Sequence, residues 1–578
     1  MSSFRKRVLL SACALVVVAL GLSALTDGVR WRASIVSMKA TGRINDIDWS
    51  QLLSMLKPGS GFFLAPLRDT PNPFAVIRNP HSSAADVEAG RQSFLARCSP
   101  CHGDVGEGKN APSLTGRPLR AGDSDWSLFR SITGGFKDLA MPPVAMKQIE
   151  TWQTVAYVQT LRHISAQPAD ARNAGHPGPV EVAIERIENA ASEPEAWLTY
   201  AGDYNSWRFT RLAEITTHNV ANLKLWWSLQ LDATQPVESS PLVVDGVMYF
   251  TAPTSDLLAI NAVTGEVYWR YRRPIPNEVP ACCGRVNRGV AVLGNRVYLA
   301  TLDGYLIALD AQHGNVVWET QVADYHEGYS LTLAPLAVHD RLIVGVSGGE
   351  YGARGFIAAY AAATGERLWR FYTIPRAGEP GAETWENGSW RNGGGPGWVT
   401  GSFDPALNLL YWGTGNPSPD FSGDTRPGDN LFTDSVVALN ADDGKLAWHY
   451  QFTPHDEHDW DSNQSPVLID HEIDGELRHL VLWANRNGFY YVLDRVTGKF
   501  IRAVPFVKQT WAERIDETGR PVLAPNSAPS RRGTLTWPGV SGGGNWWSPS
   551  YSPRTNLFYA PFAERPTVYF KGTAAEPK

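Results

Sequence analysis

One pattern recurs from Trp197 onward and leaves this chain few folds to choose from. A short apolar strand, a polar or glycine-containing turn and a second strand lead into a turn that ends Gly-x-x-x-Trp. The instances are Ala262-Val-Thr-Gly-Glu-Val-Tyr-Trp269, Ala311-Gln-His-Gly-Asn-Val-Val-Trp318, Ala362-Ala-Thr-Gly-Glu-Arg-Leu-Trp369 and Ala441-Asp-Asp-Gly-Lys-Leu-Ala-Trp448. A fifth, Arg495-Val-Thr-Gly-Lys-Phe-Ile-Arg502, ends in arginine. Repeats spaced by roughly fifty residues with alternating strands specify an all-β propeller. The glycine permits the hairpin turn, and the tryptophans read as packing of blade on blade, not as catalysis. The 22 Trp, 53 Gly and 40 Pro among 578 residues suit many short strands joined by tight turns.

Ahead of the repeats stands Cys98-Ser-Pro-Cys101-His102, the haem c attachment pattern. Two thiols add to the haem vinyl groups, and the adjacent His102 imidazole becomes the proximal iron ligand. A zinc site would need a second Cys or His pair nearby, and none follows. The periodicity predicts a helix over 84–96, with Val87, Phe94 and Leu95 apolar, and a closing helix over 149–161. Leu139-Ala-Met141-Pro-Pro resembles the loop that supplies the distal ligand in small class I cytochromes c. Met141 is therefore the sixth-ligand candidate, with Met146 second. His plus Met ligation would raise the haem potential, which suits accepting electrons from a quinol. A small all-α cytochrome c domain is expected over 84–164, followed by an Ala-, Pro-, Glu- and Gly-rich linker over 165–194 and the propeller over 195–578.

At the N-terminus Arg5, Lys6 and Arg7 precede an apolar run from Val8 to Leu25. Residues 1–25 read as a signal peptide or as an uncleaved membrane anchor, with an extension of uncertain role over 26–83. Either way the rest of the chain is expected in the periplasm, free or anchored to the inner membrane, where disulfides persist. The net charge of −6 gives no electrostatic ground for a nucleic-acid partner.

Nine motifs lie in order through the propeller region. They are Cys282-Cys283, Arg288, Thr332, Ser347-Gly348-Gly349-Glu350, Gly395-Pro-Gly-Trp398, Gly413-Thr-Gly-Asn416-Pro, Thr453-Pro-His-Asp456-Glu-His458-Asp459-Trp460-Asp461, Asn485-Arg486-Asn-Gly and Asn545-Trp546. Together they resemble the catalytic domain of the PQQ-dependent methanol and ethanol dehydrogenases. The resemblance implies pyrroloquinoline quinone (PQQ) held between a vicinal Cys282–Cys283 disulfide and the Trp398 ring. Arg288 would bind its carboxylate or carbonyl region, with Thr332 and the Ser347-Gly348-Gly349 loop beside it. Asn545 and Trp546 would edge the cofactor. Arg486, a Lys in some relatives, would sit near the reactive carbonyl.

By the same resemblance Glu350, Asn416, Asp459 and Asp461 would hold a metal ion, and Asp459 would be the catalytic base. Asp456 is its rival, equally acidic and close in sequence. Family members usually carry Trp where His458 stands. The calcium enzymes carry a small uncharged residue at the position of Asp461, whereas lanthanide-dependent members carry a second Asp there. Extra negative charge favours a trivalent ion by Coulomb balance, so a lanthanide is expected over Ca2+.

The expected function is oxidation of a small alcohol, with electrons passing from PQQ to haem c and on to an external acceptor such as a soluble cytochrome c or the respiratory chain. A calcium-dependent sugar, polyol or polyvinyl-alcohol dehydrogenase is the alternative enzyme, and a non-catalytic propeller scaffold with an electron-transfer haem is the alternative outside enzymes. Relatives have eight blades. Here the repeats number five, with part of a sixth opened by Asn556-Leu-Phe-Tyr, so a C-terminally incomplete propeller is expected.

Overall fold

The computed structural model describes residues 79–571, apart from 107, 109–110, 112, 116–118, 120–123, 136–140, 164–176, 232–234 and 474, together with a few isolated positions before residue 79. The expected signal or anchor over 1–25, and nearly all of the extension after it, lie outside the described residues. Among the described residues no helix is long and apolar enough to cross a membrane. The chain forms two compact units that divide near Asp170, each with its own core.

The first unit is helical. Helix α1 (Ala84–Arg97) starts at Ser83, whose side chain accepts from Asp86 N while Asp86 answers to the Ser83 N–H. Helix α2 (Ser99–His102) carries the Cys-x-x-Cys-His motif, α3 spans Asp125–Gly134, and α4 spans Gln148–His163. Phe94, Trp126, Phe129, Trp152, Val155 and Leu161 form the buried core. Gly90 allows α1 and α4 to cross backbone to backbone, because a Cβ there would lie 1.8 Å from Gln153 O. The two predicted helices thus extend a residue or two beyond the periodic stretch.

Among its described residues the second unit contains five four-stranded antiparallel sheets, over residues 242–271, 290–321, 336–372, 402–451 and 467–505. In each, successive strands are neighbours, as a propeller blade requires. Three two-stranded ladders follow between Ala512 and Tyr569.

The repeat has a physical reason. The ring of Trp269 lies against Gly314, Trp318 against Gly365, Trp369 against Gly444 and Trp448 against Gly498. Each indole N–H donates to the carbonyl four residues or fewer ahead of that glycine: Trp269 to Ala311, Trp318 to Ala362, Trp369 to Ala441 and Trp448 to Arg495. Every Trp therefore docks on the Gly turn of the next repeat. Trp227, which lies ahead of the first recognised repeat, does the same on Gly265 and Ala262 O.

The stretch 177–194, expected as linker, belongs to the propeller unit. Val180 and Val182 are buried, Val182 bridges to Gly294, and Arg186 pairs with Glu193 and Asp245. Short apolar residues and a two-way ion pair hold this segment, features that a composition reading passes over.

Candidate functional site

In the helical unit the motif residues occupy one turn. His102 N donates to Cys98 O at 2.9 Å and Cys101 N to the same oxygen at 3.1 Å. Positions i, i+3 and i+4 of a helix share a face, so both thiols and the imidazole are brought to one side. Pro100 suits the first turn of α2, and Gly103 (φ 85°) ends it. Before any attachment, burial pushes the Cys98 thiol up to about 11. The loop after α3 is tied by Arg97 Nη1 to Ala145 O at 2.7 Å and by Val144 N to Ile132 O. Met141, the first-choice ligand, is half-buried beside Gly135. Met146, the second, packs on the core and lines a cavity of 440 Å³ with Phe129, Arg130, Thr133, Gly134, Gln148 and Thr151.

In the propeller unit two groups of predicted residues converge. The first surrounds Arg288, which is buried. Its guanidinium carbon lies 4.8 Å from the Trp398 ring and 5.2 Å from the Trp546 ring. Its backbone N–H donates to Thr332 O at 3.0 Å, and Thr332 Oγ1 is 2.9 Å from Ser347 Oγ. Ser347 bridges to Ser330, and Gly348 (φ 116°) has no room for a Cβ, which would meet Gly328 O at 2.1 Å. Glu238, absent from the sequence reading, pairs with Arg288 Nη2 at 2.7 Å. An acid just ahead of an apolar strand, in Val-Glu-Ser-Ser-Pro, was the available signal. Arg288 Nε is buried with no hydrogen-bond partner. Aromatic faces, two hydroxyls and an unspent guanidinium N–H fit a flat, acid-bearing quinone. Asn545 spends its amide within its own turn, on Ser541 O and the Trp546 N–H. Cys282 and Cys283 are disulfide-bonded, as the resemblance implied, and Cys282 Sγ lies 3.3 Å from Glu350 Oε1.

The second group is built from three loops. Gly349 and Gly415 both abut Pro396, and a Cβ on Gly415 would lie 2.1 Å from Asp461 Oδ1. Only glycine lets the Asn416 strand end approach the Asp461 loop so closely. Asp461 is buried and does not face solvent. Its Oδ1 accepts from Asn416 N at 3.1 Å and its Oδ2 from Arg486 Nη1 at 2.5 Å. Arg486 Nη2 is also 3.5 Å from Asp459 Oδ2. Asn416 is buried and its Oδ1 has no hydrogen-bond partner. A hard cation takes such oxygens, and the donors implied by the sequence are Glu350, Asp459, Asp461 and Asn416 Oδ1. Among the described residues the three carboxylates do not draw into one cluster, the close group of ligand atoms being Cys282, Cys283 and Glu350.

Electrostatics separate the two rival acids. Asp456 accepts from the backbone N–H groups of His458 (3.0 Å) and Trp460 (2.8 Å). Burial opposes its ionisation, but His458 and Arg426 hold it below the usual carboxylate range. Asp456 is thereby a tie of its own loop. Asp459, at a left-handed φ of 61°, is pushed well above that range by burial and by Asp461, Asp420 and Asp456, with Arg486 opposing. Glu350 is pushed up to about 7, by burial first and then by the charge of Asp461. His458 stacks on Trp460 with centroids 4.1 Å apart.

Residues 197–513 match the family described as "Glucose/ethanol/alcohol dehydrogenase, beta-propeller domain" of PQQ enzymes. The chain belongs to the PQQ-dependent alcohol dehydrogenase family. Residues 85–158 match "Cytochrome C oxidase, cbb3-type, subunit III". Among curated relatives, the quinohemoprotein alcohol dehydrogenase ADH IIB of Pseudomonas putida is 44% identical over 409 residues, covering 67% of this chain and 58% of that protein. Among solved structures, the quinohemoprotein alcohol dehydrogenase ADHIIG of Pseudomonas putida HK5 aligns with a TM-score of 0.65 at 38% identity, over 69% of this chain and 61% of that one. A europium-containing methanol dehydrogenase aligns with a TM-score of 0.62 at 36% identity, over 65% of this chain and 70% of that one. This member of the PQQ-dependent family thus spans well under two thirds of the length of ADH IIB.

Proposed function

We propose that this protein oxidises an alcohol with PQQ and passes the electrons through covalently attached haem c to an external acceptor. The carrying observation is the placement of Arg486 between Asp459 and Asp461, with Asp461 also accepting from the backbone of Asn416, whose Oδ1 meets no donor among the described residues. When bound, PQQ supplies a two-electron acceptor, a cation at the four oxygen donors supplies a Lewis acid, and haem supplies a one-electron relay.

The remaining roles belong to the chain's own side chains. Asp459 takes the proton of the alcohol hydroxyl as general base, its carboxyl made more basic by burial and by neighbouring acids. Arg486 keeps that carboxyl oriented and presents positive charge where the acceptor gains negative charge. Arg288, held in place by Glu238, grips the acidic end of the quinone with Thr332 and Ser347, while Trp398 and the Cys282–Cys283 disulfide form the walls. Cys98 and Cys101 anchor the haem, His102 ligates its iron, and Met141 or Met146 completes the ligation.

We assign a trivalent lanthanide to the cation site, with Ca2+ as the alternative. Arg486 offsets one of the three carboxylates, and an acid group of bound PQQ adds one charge back, so the site favours a trivalent ion, and the europium-containing neighbour supports the choice. A periplasmic location, free or membrane-anchored, rests on the basic and apolar N-terminus and on the disulfide. The acceptor is a soluble cytochrome c or the respiratory chain.

The test is anaerobic mixing. Protein with haem attached is loaded with PQQ and either La3+ or Ca2+, a short primary alcohol is added, and the haem bands are followed. Reduction with La3+ but not Ca2+ is expected. Reduction with Ca2+ alone would overturn the lanthanide assignment. An intact haem that stays oxidised with both metals would sink the dehydrogenase reading.

A further inference from the structure

An amide binds a cation through oxygen only, and the two ends of Asn416 differ by a single atom. Its Nδ2 donates to Asp420 Oδ1 at 2.8 Å and to Pro417 O at 3.3 Å. A carboxylate and a carbonyl are both acceptors, so the NH2 end has to face them. Oδ1 is thereby turned away, into a buried place where it meets no donor. A buried acceptor left unsatisfied costs on the order of 1–3 kcal/mol, which a cation would remove. The backbone is fixed as well, through Asn416 N and Asp461 Oδ1.

Asp420 is itself held in place. Arg426, fully buried, donates to Pro419 O at 3.1 Å, to Asp420 O at 3.0 Å, to Asn430 Oδ1 at 3.0 Å and to Asp456 O. One guanidinium therefore joins the Asn416–Asp420 loop to the loop that carries Asp459 and Asp461. Asp420 is not one of the four donors named above, and its Oδ1 is committed to Asn416 Nδ2.

We infer that Asp420 is a positioning residue that locks the Asn416 amide with its oxygen toward the cation. The role rests on the cation site proposed above. Partners that orient a ligand in this way typically carry about 10–100-fold in metal affinity.

Eu3+ is the probe, added to the purified full-length chain. Its luminescence decay in H2O and in D2O counts the waters on the ion, and a titration gives affinity. Asp420→Ala frees the amide to rotate, so the ion gains about one water and binds roughly 10–100-fold more weakly. Asp420→Asn keeps an oxygen acceptor for Asn416 Nδ2 and retains the wild-type hydration. In an Asn416→Asp background both ends are oxygen, and adding Asp420→Ala no longer weakens binding. Unchanged hydration and affinity in Asp420→Ala, or equal damage from the Asn and Ala variants, would overturn the lock. Failure of the wild-type chain to take up Eu3+ would instead overturn the cation site, and the lock with it. Thermal melting without Eu3+ reports whether each variant folds; if Asp420→Ala does not, the Asn variant and the Asn416→Asp pair decide.

Discussion

Arg486 Nη1 lies 2.5 Å from Asp461 Oδ2, and both side chains are buried. The same guanidinium reaches Asp459 at 3.5 Å. It stands close to where a cation bound by those two carboxylates would draw its charge balance. Arg486→Met leaves the acids uncompensated, and breaking a buried pair from one side costs about 3–5 kcal/mol. The variant should melt lower in EDTA than the wild type, recover with La3+, and bind La3+ about tenfold more tightly, a change of about 1.4 kcal/mol. Alcohol-driven haem reduction should nonetheless fall. A melting loss that La3+ does not recover would mean that the arginine is structural only.

Asp459 and Asp456 are separable by what each substitution damages. Asp459→Asn should lower the rate of haem reduction about 10²–10⁴-fold, as loss of a general base does, with little change in melting. Asp456→Asn removes charge from an acceptor that fixes His458 N and Trp460 N, so it should lower melting by more than Asp459→Asn does. Stopped-flow rates and melting curves on both variants check this. The opposite pattern would exchange their roles.

The docking of Trp on Gly is testable at one interface. Gly444 has φ 70°, and a Cβ there would lie 2.4 Å from the Trp369 ring. Gly444→Ala should destabilise the propeller unit by about 2–4 kcal/mol, combining a left-handed backbone penalty with overpacking. Urea unfolding followed by tryptophan fluorescence measures it. A loss below about 0.5 kcal/mol, the size of an ordinary surface change, would mean that the ring moves aside freely.

The repeat was legible because everything that makes it is local: a glycine that turns the chain and a tryptophan four residues later. Trp227 was not, since Leu223 stands where the signature needs a glycine four residues ahead of the tryptophan. The site shows the same division. Cys98, Cys101 and His102 lie within five residues and could be read together. Asp459 and Asp461 were legible as a motif, but their pairing with Arg486 joins segments that only the folded propeller brings together. Glu238 and Arg426 were missed because each acts through a partner distant in sequence or through a backbone oxygen, and Asp420 because only the fold sets which end of the Asn416 amide it meets. The stretch 177–194 looked like linker because its anchors, Gly294 and Asp245, belong to distant strand turns.

Asp203 gives the fold a pH dependence whose sign can be worked out. Burial pushes its carboxyl up to about 6, against the opposing N–H of Trp207, which it accepts at 3.2 Å. In the unfolded chain the same group titrates near about 3.9. Between those values the folded state binds more protons at this group than the unfolded one, so the contribution of Asp203 to stability is greatest below about pH 4 and is lost as pH rises through about 6. The shift corresponds to a loss on the order of 2–3 kcal/mol by pH 7.5. Asp203→Asn removes the ionisation and keeps an oxygen for the Trp207 N–H. It should therefore raise stability at pH 7.5 and lose that advantage progressively toward pH 4. Urea unfolding of both proteins across this range measures the difference. An advantage that is the same at both ends would mean that Asp203 does not titrate between them, and that the gain comes from packing rather than charge.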